Sequence, residues 1–322
     1  MFEKLFANEL SAEEAREFLI ELYNKGESAE DIAKAARIMR QHSVKLPIPE
    51  ELREKLIDVV GTGGDRSGSF NVSSTVALLL PSLGSHVAKH GNRSVTSKSG
   101  SADMLEALGI NLDLNPQQQV QMLEKSGFCF IFAKNHHPAM KHIMPIRQSI
   151  PHRTIFNILG PLTNPAGARK FLMGVFHPGF IKKIAAALRE LGVKRALVLS
   201  SDDGMDEISV SAPTHCAMVD ERCIGRFIIS PKDFGMEFAP KSAIEGGDAK
   251  TNAAITEGIL KGDIVGPKRD MVLLNAAAAL FVDKKANSFQ EGIAMAKEAI
   301  DSGRAYKKLQ EIIECSRSFN GA

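Results

Sequence analysis

Apolar residues in the first forty positions recur every three or four places. Ala15, Phe18, Leu19 and Leu22 fall at i, i+3, i+4 and i+7, so they share one face of a helix. Ahead of them Ser11 and Glu14 form an S-x-x-E capping box, in which each side chain satisfies an orphan N–H of the first turn. A second helix is predicted from about Ser28, with Ile32, Ala35, Ala36 and Met39 on its apolar face. Lys45-Leu46-Pro47-Ile48-Pro49 ends that pattern, because each proline disfavours helix at the residue before it. From Leu56 the pattern changes. Short apolar runs at Leu56 to Val60, His86 to Lys89, Phe128 to Ala133, Phe171 to Val175 and Arg195 to Ser200 read as strands. Between them Thr75 to Leu83, Ser101 to Leu108 and Ile181 to Leu191 have helical length or spacing. Gly109 and Gly192 stand just beyond the last two as helix-ending glycines. Shorter strands are predicted across 206–230, and helices from Asp248 onward.

Strands alternating with helices argue for an α/β fold: a small N-terminal helical domain, residues 1–56, and a larger α/β domain, residues 57–322, around a mostly parallel sheet. The 322 residues suffice for a full core in such an arrangement. Forty Lys and Arg against 38 Asp and Glu leave a formal charge of +2, which gives no reason to expect nucleic acid or a membrane surface as partner. Anion binding would have to come from local placement of charge and backbone N–H groups. Cys129, Cys216, Cys223 and Cys315 form no C-x-x-C pair, so a reducing compartment is expected rather than a zinc or disulfide framework. Met1 to Phe6 runs into the acidic stretch Ser11 to Glu21, which resembles neither a signal nor a transit peptide, and a cytoplasmic location is expected. The longest apolar run, Met271 to Val282, is too short to span a bilayer and contains Asn275.

Candidate chemistry gathers first at Gly61-Thr62-Gly63-Gly64-Asp65-Arg66-Ser67-Gly68-Ser69, between a strand and a helix. Glycines there let the backbone approach an anion with its N–H groups. A dinucleotide fingerprint from Gly61 would need glycine or alanine where Arg66 stands. A Walker A loop would need Gly-Lys-Ser/Thr, whereas Gly68 is followed by Ser69 and Phe70. The next segment, Asn71-Val72-Ser73-Ser74-Thr75, places hydroxyls at a helix start, where they can cap it or face a phosphate or metal. Lys89-His90-Gly91-Asn92-Arg93-Ser94 and Ser97-Lys98-Ser99-Gly100-Ser101-Ala102-Asp103 add cations and small hydroxyls suited to a diphosphate. Taken singly, each of these is also compatible with a solvated loop.

Together with His136-His137-Pro138-Ala139-Met140-Lys141, Arg153 to Pro165, Gly204 to Ser209 and Gly246 to Ala253, these motifs run in an order that resembles the anthranilate phosphoribosyltransferase family, over roughly residues 8 to 300. The resemblance implies a fold of the nucleoside phosphorylase type, with 142–165 packing back onto the helical domain and the active site in the cleft. It implies transfer of the phosphoribosyl group of 5-phosphoribosyl 1-diphosphate to anthranilate, the second step of tryptophan biosynthesis from chorismate. The implied donor site is Gly61, Gly63, Gly64, Asp65, Ser69, Asn71, Ser73, Ser74, Lys89 and Ser101. Ser73, Asp206 and Glu207 would hold Mg²⁺, two ions per active site. Gly61, His90, Asn92, His137, Arg147 and Gly160 would line the anthranilate site, with Arg147 on the carboxylate and His90 and His137 as candidate proton acceptors. A homodimer joined through the helical domain is implied, and a separate anthranilate synthase subunit is compatible with the length.

The sequence departs from the family pattern in three places. Ser200-Ser201-Asp202-Asp203 stands where the family commonly reads like His-Gly, Ser74 where threonine is commoner, and Lys250-Thr251 where acidic residues are commoner. Two other readings compete. A pyrimidine nucleoside phosphorylase would need neither the Asp206-Glu207 pair nor Arg147. A nucleic-acid-binding relative should be visibly basic on one face, which the near-neutral charge argues against.

Overall fold

The computed structural model describes residues 1–65, 67–94 and 98–319; Arg66 and Ser97, which belong to motifs quoted above, lie outside the described residues. Among the described residues seven strands form one sheet: β1 (Leu56–Gly61), β2 (His86–Gly91), β3 (Phe128–Phe132), β4 (Lys170–Gly174), β5 (Arg195–Ser201), β6 (Thr214–Asp220) and β7 (Ile224–Ile229). Their spatial order is β3-β2-β1-β4-β5-β6-β7. The first five are parallel, and β6 and β7 close one edge as antiparallel strands. The chain enters at β1, steps outward to β2 and β3, then returns to β4 on the other side of β1. The winding therefore reverses between β1 and β4. In open α/β sheets the crevice beyond the carboxyl ends at such a reversal is where ligands bind.

Successive side chains of a strand point to opposite faces, and the sheet accordingly separates two cores. On one face Ile57, Val59, Val87, Phe128, Phe130 and Leu172 pack with residues of the helices Val72–Leu79, Ser101–Ala107, Ala249–Lys261 and Pro267–Val282. On the other, Leu56, Val60, Ala88, Cys129, Ile131 and Phe171 join the N-terminal helices α1 (Phe2–Phe6), α2 (Ala12–Lys25) and α3 (Ala29–Gln41). The α2 capping box is present as read, and a second box between Ser28 and Asp31 opens α3. Segment 142–165 lies against the same helices: His142 Nε2 is 3.0 Å from the Leu5 carbonyl, and Arg40 Nε donates to the Leu162 carbonyl at 2.7 Å. Among the described residues, no helix is long and apolar enough to cross a membrane.

Two elements differ from expectation, each for a tertiary reason. The helix expected from Thr75 begins at Val72 and tightens into a 3₁₀ turn at Leu80–Leu83. Its first turn is completed from outside, since the Ser73 N–H donates to Glu207 at 3.1 Å. Strands were expected across 206–230, but Ile208 and Val210, though buried, lie in a loop. There the Asn275 side chain accepts from the Ile208 N–H (3.0 Å) and donates to the Ile208 carbonyl (2.9 Å). One amide thus satisfies backbone groups that a ladder would otherwise take up.

The loop before β6 presses on the sheet. A Cβ added to Gly174, the last residue of β4, would lie 1.6 Å from the Asp206 carbonyl oxygen. Gly174→Ala is therefore expected to displace this loop and to cost about 2 kcal/mol or more of stability, by overpacking. Urea unfolding measures the cost, and an unchanged midpoint would refute this close packing.

Candidate functional site

The carboxyl end of β1 and the loop before β6 meet without an intervening side chain. A Cβ on Gly61 would be 2.3 Å from Asp206 Oδ2. That oxygen instead accepts the Gly63 N–H at 2.7 Å. Gly63 and Gly64 hold φ of +65° and +73°, a region that L side chains rarely adopt, so the loop turns back over the strand end only as glycine. Asp206 and Glu207 are thus moored at two different places, one on the glycine loop and one at the start of the next helix.

Charge is crowded here. Burial, and then nearby Asp65, push the Asp206 carboxyl up to about 7 against the pull of the Gly63 N–H. Burial, and then Asp206, push Glu207 up to about 8, opposed by Lys89 and the Ser73 N–H. Lys89 is 2% exposed. It donates to the Val59 carbonyl at 2.6 Å and lies 3.5 Å from Ser73 Oγ. Burial lowers its pKa, and Asp58, Glu207 and Asp206 resist that shift.

The next residue of β2 faces the opposite side of the sheet. His90 is buried, with Nδ1 3.1 Å from the Gly160 carbonyl and Nε2 3.2 Å from His137 Nε2. Burial, with His137 beside it, lowers His90 well below the ordinary histidine range, and burial lowers His137 to about 4. Both rings are therefore neutral near pH 7. A carbonyl only accepts, so His90 Nδ1 carries the hydrogen and His90 Nε2 is the acceptor for His137 Nε2–H. His137 Nδ1 is left with its lone pair, buried and without a hydrogen-bond partner among the described residues.

The other residues named from the sequence fall around these two clusters. Asn71 stands at the helix start without capping it; its amide bonds to the Ser99 carbonyl (3.3 Å) and accepts from Asn252 Nδ2 (2.8 Å). Ser101 Oγ donates to the Asn92 carbonyl at 3.1 Å, which ties the helix start at Ser101 to the end of β2. Ser69 Oγ lies 3.0 Å from Ser67 Oγ, and Ser69 forms a β-bridge with Glu245. Ser74 is buried in the first turn of the helix that starts at Val72. Arg147 lies in the last turn of the helix Met140–Gln148, and its partial burial lowers its pKa. The carboxylates of the departing segment serve the loop itself: Asp202 accepts from His215 (2.8 Å) and Asp203 from Ser209 Oγ (2.8 Å).

Residues with no role assigned from the sequence also shape the site. Asp58 is wholly buried in β1, where its Oδ1 accepts the His90 N–H (3.2 Å) and its Oδ2 the Asn164 amide (2.8 Å). Asn164 also donates to the Ala88 carbonyl at 2.8 Å. Ladder pairing of β1 with β2 stops after Ile57↔Val87. Beyond it Asp58, Lys89 and Asn164 take up backbone groups of the splayed strands, and the gap they brace lies at the site. A carboxylate inside an otherwise apolar strand was the available signal. Asn252 joins the late Gly-Gly-Asp motif to Asn71 at the start of the helix beside the glycine loop. Its Oδ1 accepts the Gly247 N–H (2.7 Å), and a Cβ on Gly246 would be 2.6 Å from the Phe70 Cα.

The residues present fit Mg²⁺. Two carboxylates and a hydroxyl are hard oxygen donors, and crowding that lifts both carboxyls is relieved by a divalent cation. Among the described residues, no three His, Cys, Asp or Glu side chains converge to cage an ion. Mg²⁺ is ordinarily held by one or two carboxylates with substrate phosphates and water completing the shell. Beside the carboxylates lie backbone N–H groups and a buried ammonium, an environment for a highly anionic ligand.

Fold and site together define an α/β enzyme of anionic, phosphate-bearing substrates. The family described as "Glycosyl transferase family, a/b domain" matches residues 53–306. The anthranilate phosphoribosyltransferase of Rubrobacter xylanophilus is 44% identical over 97% of this chain and 90% of its own length. That of Thioalkalivibrio sulfidiphilus is 48% identical over 94% and 88%. Among solved structures, the Thermus thermophilus anthranilate phosphoribosyltransferase superposes with a TM-score of 0.92 at 40% identity, covering 98% of this chain and 93% of that one. The Saccharomyces cerevisiae enzyme in complex with PRPP and Mg gives 0.87 at 29% identity, covering 96% and 86%. The chain belongs to the anthranilate phosphoribosyltransferase family.

Carboxyls raised by burial and crowding are partly protonated at neutral pH, and a metal binds them deprotonated. Mg²⁺ binding in the presence of diphosphate is therefore expected to release protons near pH 7 and to weaken as the pH falls below about 7. Calorimetry in buffers of different ionisation enthalpy measures the release. A buffer-independent heat, with affinity flat from pH 6 to 8, would contradict it.

Proposed function

We propose that this protein transfers the phosphoribosyl group of 5-phosphoribosyl 1-diphosphate to anthranilate, giving N-(5-phosphoribosyl)anthranilate and diphosphate, the second step of tryptophan biosynthesis from chorismate. One observation carries the reading. Adjacent residues of β2 serve two unlike clusters on opposite faces of the sheet, Lys89 with Asp206, Glu207 and Ser73, and His90 with His137 and Gly160. An anionic donor and an aromatic acceptor need such a division, with both sites opening on the same strand ends.

The difficulty of the reaction is electrostatic. Diphosphate must leave while positive charge grows on the ribose carbon. Ser73, Asp206 and Glu207 would hold Mg²⁺, two ions per site, which would supply positive charge to offset the charge of the leaving diphosphate. Gly61, Gly63, Gly64, Asp65, Ser69, Asn71, Ser73, Ser74, Lys89 and Ser101 form the donor-binding set, in which the loop N–H groups and Lys89 hold the phosphates. The acceptor nitrogen already has a free lone pair, so alignment matters more than base strength. Arg147 holds the anthranilate carboxylate through its planar fork. Gly61, Asn92, Gly160 and the two histidines line the ring. After C–N bond formation the arylammonium proton is strongly acidic, so a neutral imidazole of low pKa suffices to take it. His137 Nδ1 is the nitrogen with an open lone pair.

We further infer that residues 1–56 form a helical domain, onto which 142–165 packs back, and residues 57–322 the α/β domain. A homodimer joined through that helical domain is supported by the exposure of Tyr23 and Val44 on it.

Purified protein is expected to consume anthranilate, followed by its fluorescence, only when both PRPP and Mg²⁺ are supplied. Absence of turnover under those conditions would sink the assignment. Arg147→Ala is expected to raise the KM for anthranilate on the order of 10- to 100-fold, the worth of a charge-assisted hydrogen bond. The KM for PRPP should stay nearly constant; a parallel rise in both would remove Arg147 from the acceptor site.

A further inference from the structure

Resting on the phosphoribosyl-transfer reading, the geometry points to Arg153 as a positioning residue that, with its neighbour His152, ties the donor glycine loop to the helical unit. The Arg153 guanidinium donates to the Gly64 carbonyl at 2.8 Å and lies over the Phe176 ring, its central carbon 3.6 Å from the centroid. A Cβ on Gly64 would sit 3.4 Å from that guanidinium, so the loop backbone rests directly on it. Phe176 is itself fixed to the loop, because its N–H donates to Thr62 Oγ1 at 3.0 Å. Immediately before Arg153, the His152 ring stacks on Tyr23 of α2, with centroids 3.9 Å apart and planes inclined by 21°. Two consecutive residues thus touch the two bodies of the molecule, one side chain on the helical unit and the next on the donor loop.

The glycine loop needs this support. Gly63 and Gly64 lie at positive φ and carry no side chains to pack, so the loop is held by bonds to its backbone. On the described side of Asp65 those are Thr62 N–H to the Gly174 carbonyl (3.1 Å), Gly63 N–H to Asp206, and Arg153 to the Gly64 carbonyl. The Asp206 contact is to a carboxylate assigned to Mg²⁺. Arg153 holds a carbonyl of the loop, and it belongs to the segment that carries Arg147 six residues earlier. It contacts the loop backbone at Gly64 and the Phe176 ring, so it acts on the donor through the loop.

The test is steady-state kinetics of the full-length enzyme with Arg153→Ala and Tyr23→Ala, with melting temperature measured on the same samples. For Arg153→Ala the KM for PRPP is expected to rise on the order of tenfold or more, as for loss of a charged hydrogen bond, with the anthranilate KM at saturating PRPP within about twofold of the parent. Tyr23→Ala, remote from the loop, is expected to shift the PRPP KM in the same direction by about two- to fivefold, the scale of one aromatic stacking contact. Arg153→Lys, which keeps the charge but loses the flat stack, should recover less than half of the loss on a logarithmic scale. An unchanged PRPP KM in either alanine variant overturns the inference. So does an equal rise in both KM values accompanied by a fall in melting temperature. If Arg153→Ala does not fold, Phe176→Leu replaces it and must raise the PRPP KM selectively. A parent enzyme without turnover would instead defeat the reaction assignment, which separates the two failures.

Discussion

At the carboxyl ends of β1 and β4 there is no room for a side chain. Gly61 and Gly174 stand side by side in the ladder, and the loop carrying Asp206 lies against both, its carboxylate over one glycine and its carbonyl over the other. That contact places two carboxylates of an edge-side loop at the reversal point of the sheet. It also completes two other elements: the glycine loop through Gly63, and the helix at Val72 through Ser73. Without it the carboxylates would face solvent, as adjacent acids in loops commonly do.

Holding Asp206, Glu207 and Lys89 together out of water is unfavourable for each charge alone. Hydrogen bonds and Lys89 favour the charged forms, but burial, with the neighbouring carboxylates adding to it, still raises both carboxyls. Such an imbalance suits a site whose ligands bring both divalent cations and phosphates. Across the sheet the opposite economy holds. The two histidines are kept neutral by burial, and their hydrogen bonds leave one nitrogen open. Strand alternation at Lys89 and His90 is what lets these incompatible environments lie one residue apart.

Asp58 and Asn164 show how that separation is braced. Where β1 and β2 splay, an uncompensated backbone would be left in a dry interior. Asp58, Asn164 and Lys89 supply the missing partners, each from a different part of the chain. Sites of this kind are structural and functional at once, since the same bonds that satisfy the backbone fix the lysine and the histidine.

The sequence alone determined the alternating strand and helix order, both early helices with the Ser11 box, the glycine loop as a site for close backbone approach, and the ordered motifs that mark the family. These follow from local periodicity and from residue types with few conformational alternatives. Tertiary structure decided the rest. Ile208 and Val210 carry a strand-like pattern yet form a loop, because Asn275 from a distant helix satisfies the backbone there. The helix at Val72 starts early because Glu207 reaches it from 134 residues away. Asp58 stands out locally only as an acid in an apolar strand, and Asn252 not at all; the partners of each are brought near only by folding. Periodicity reads which face a residue takes; it does not say which other segment will meet that face.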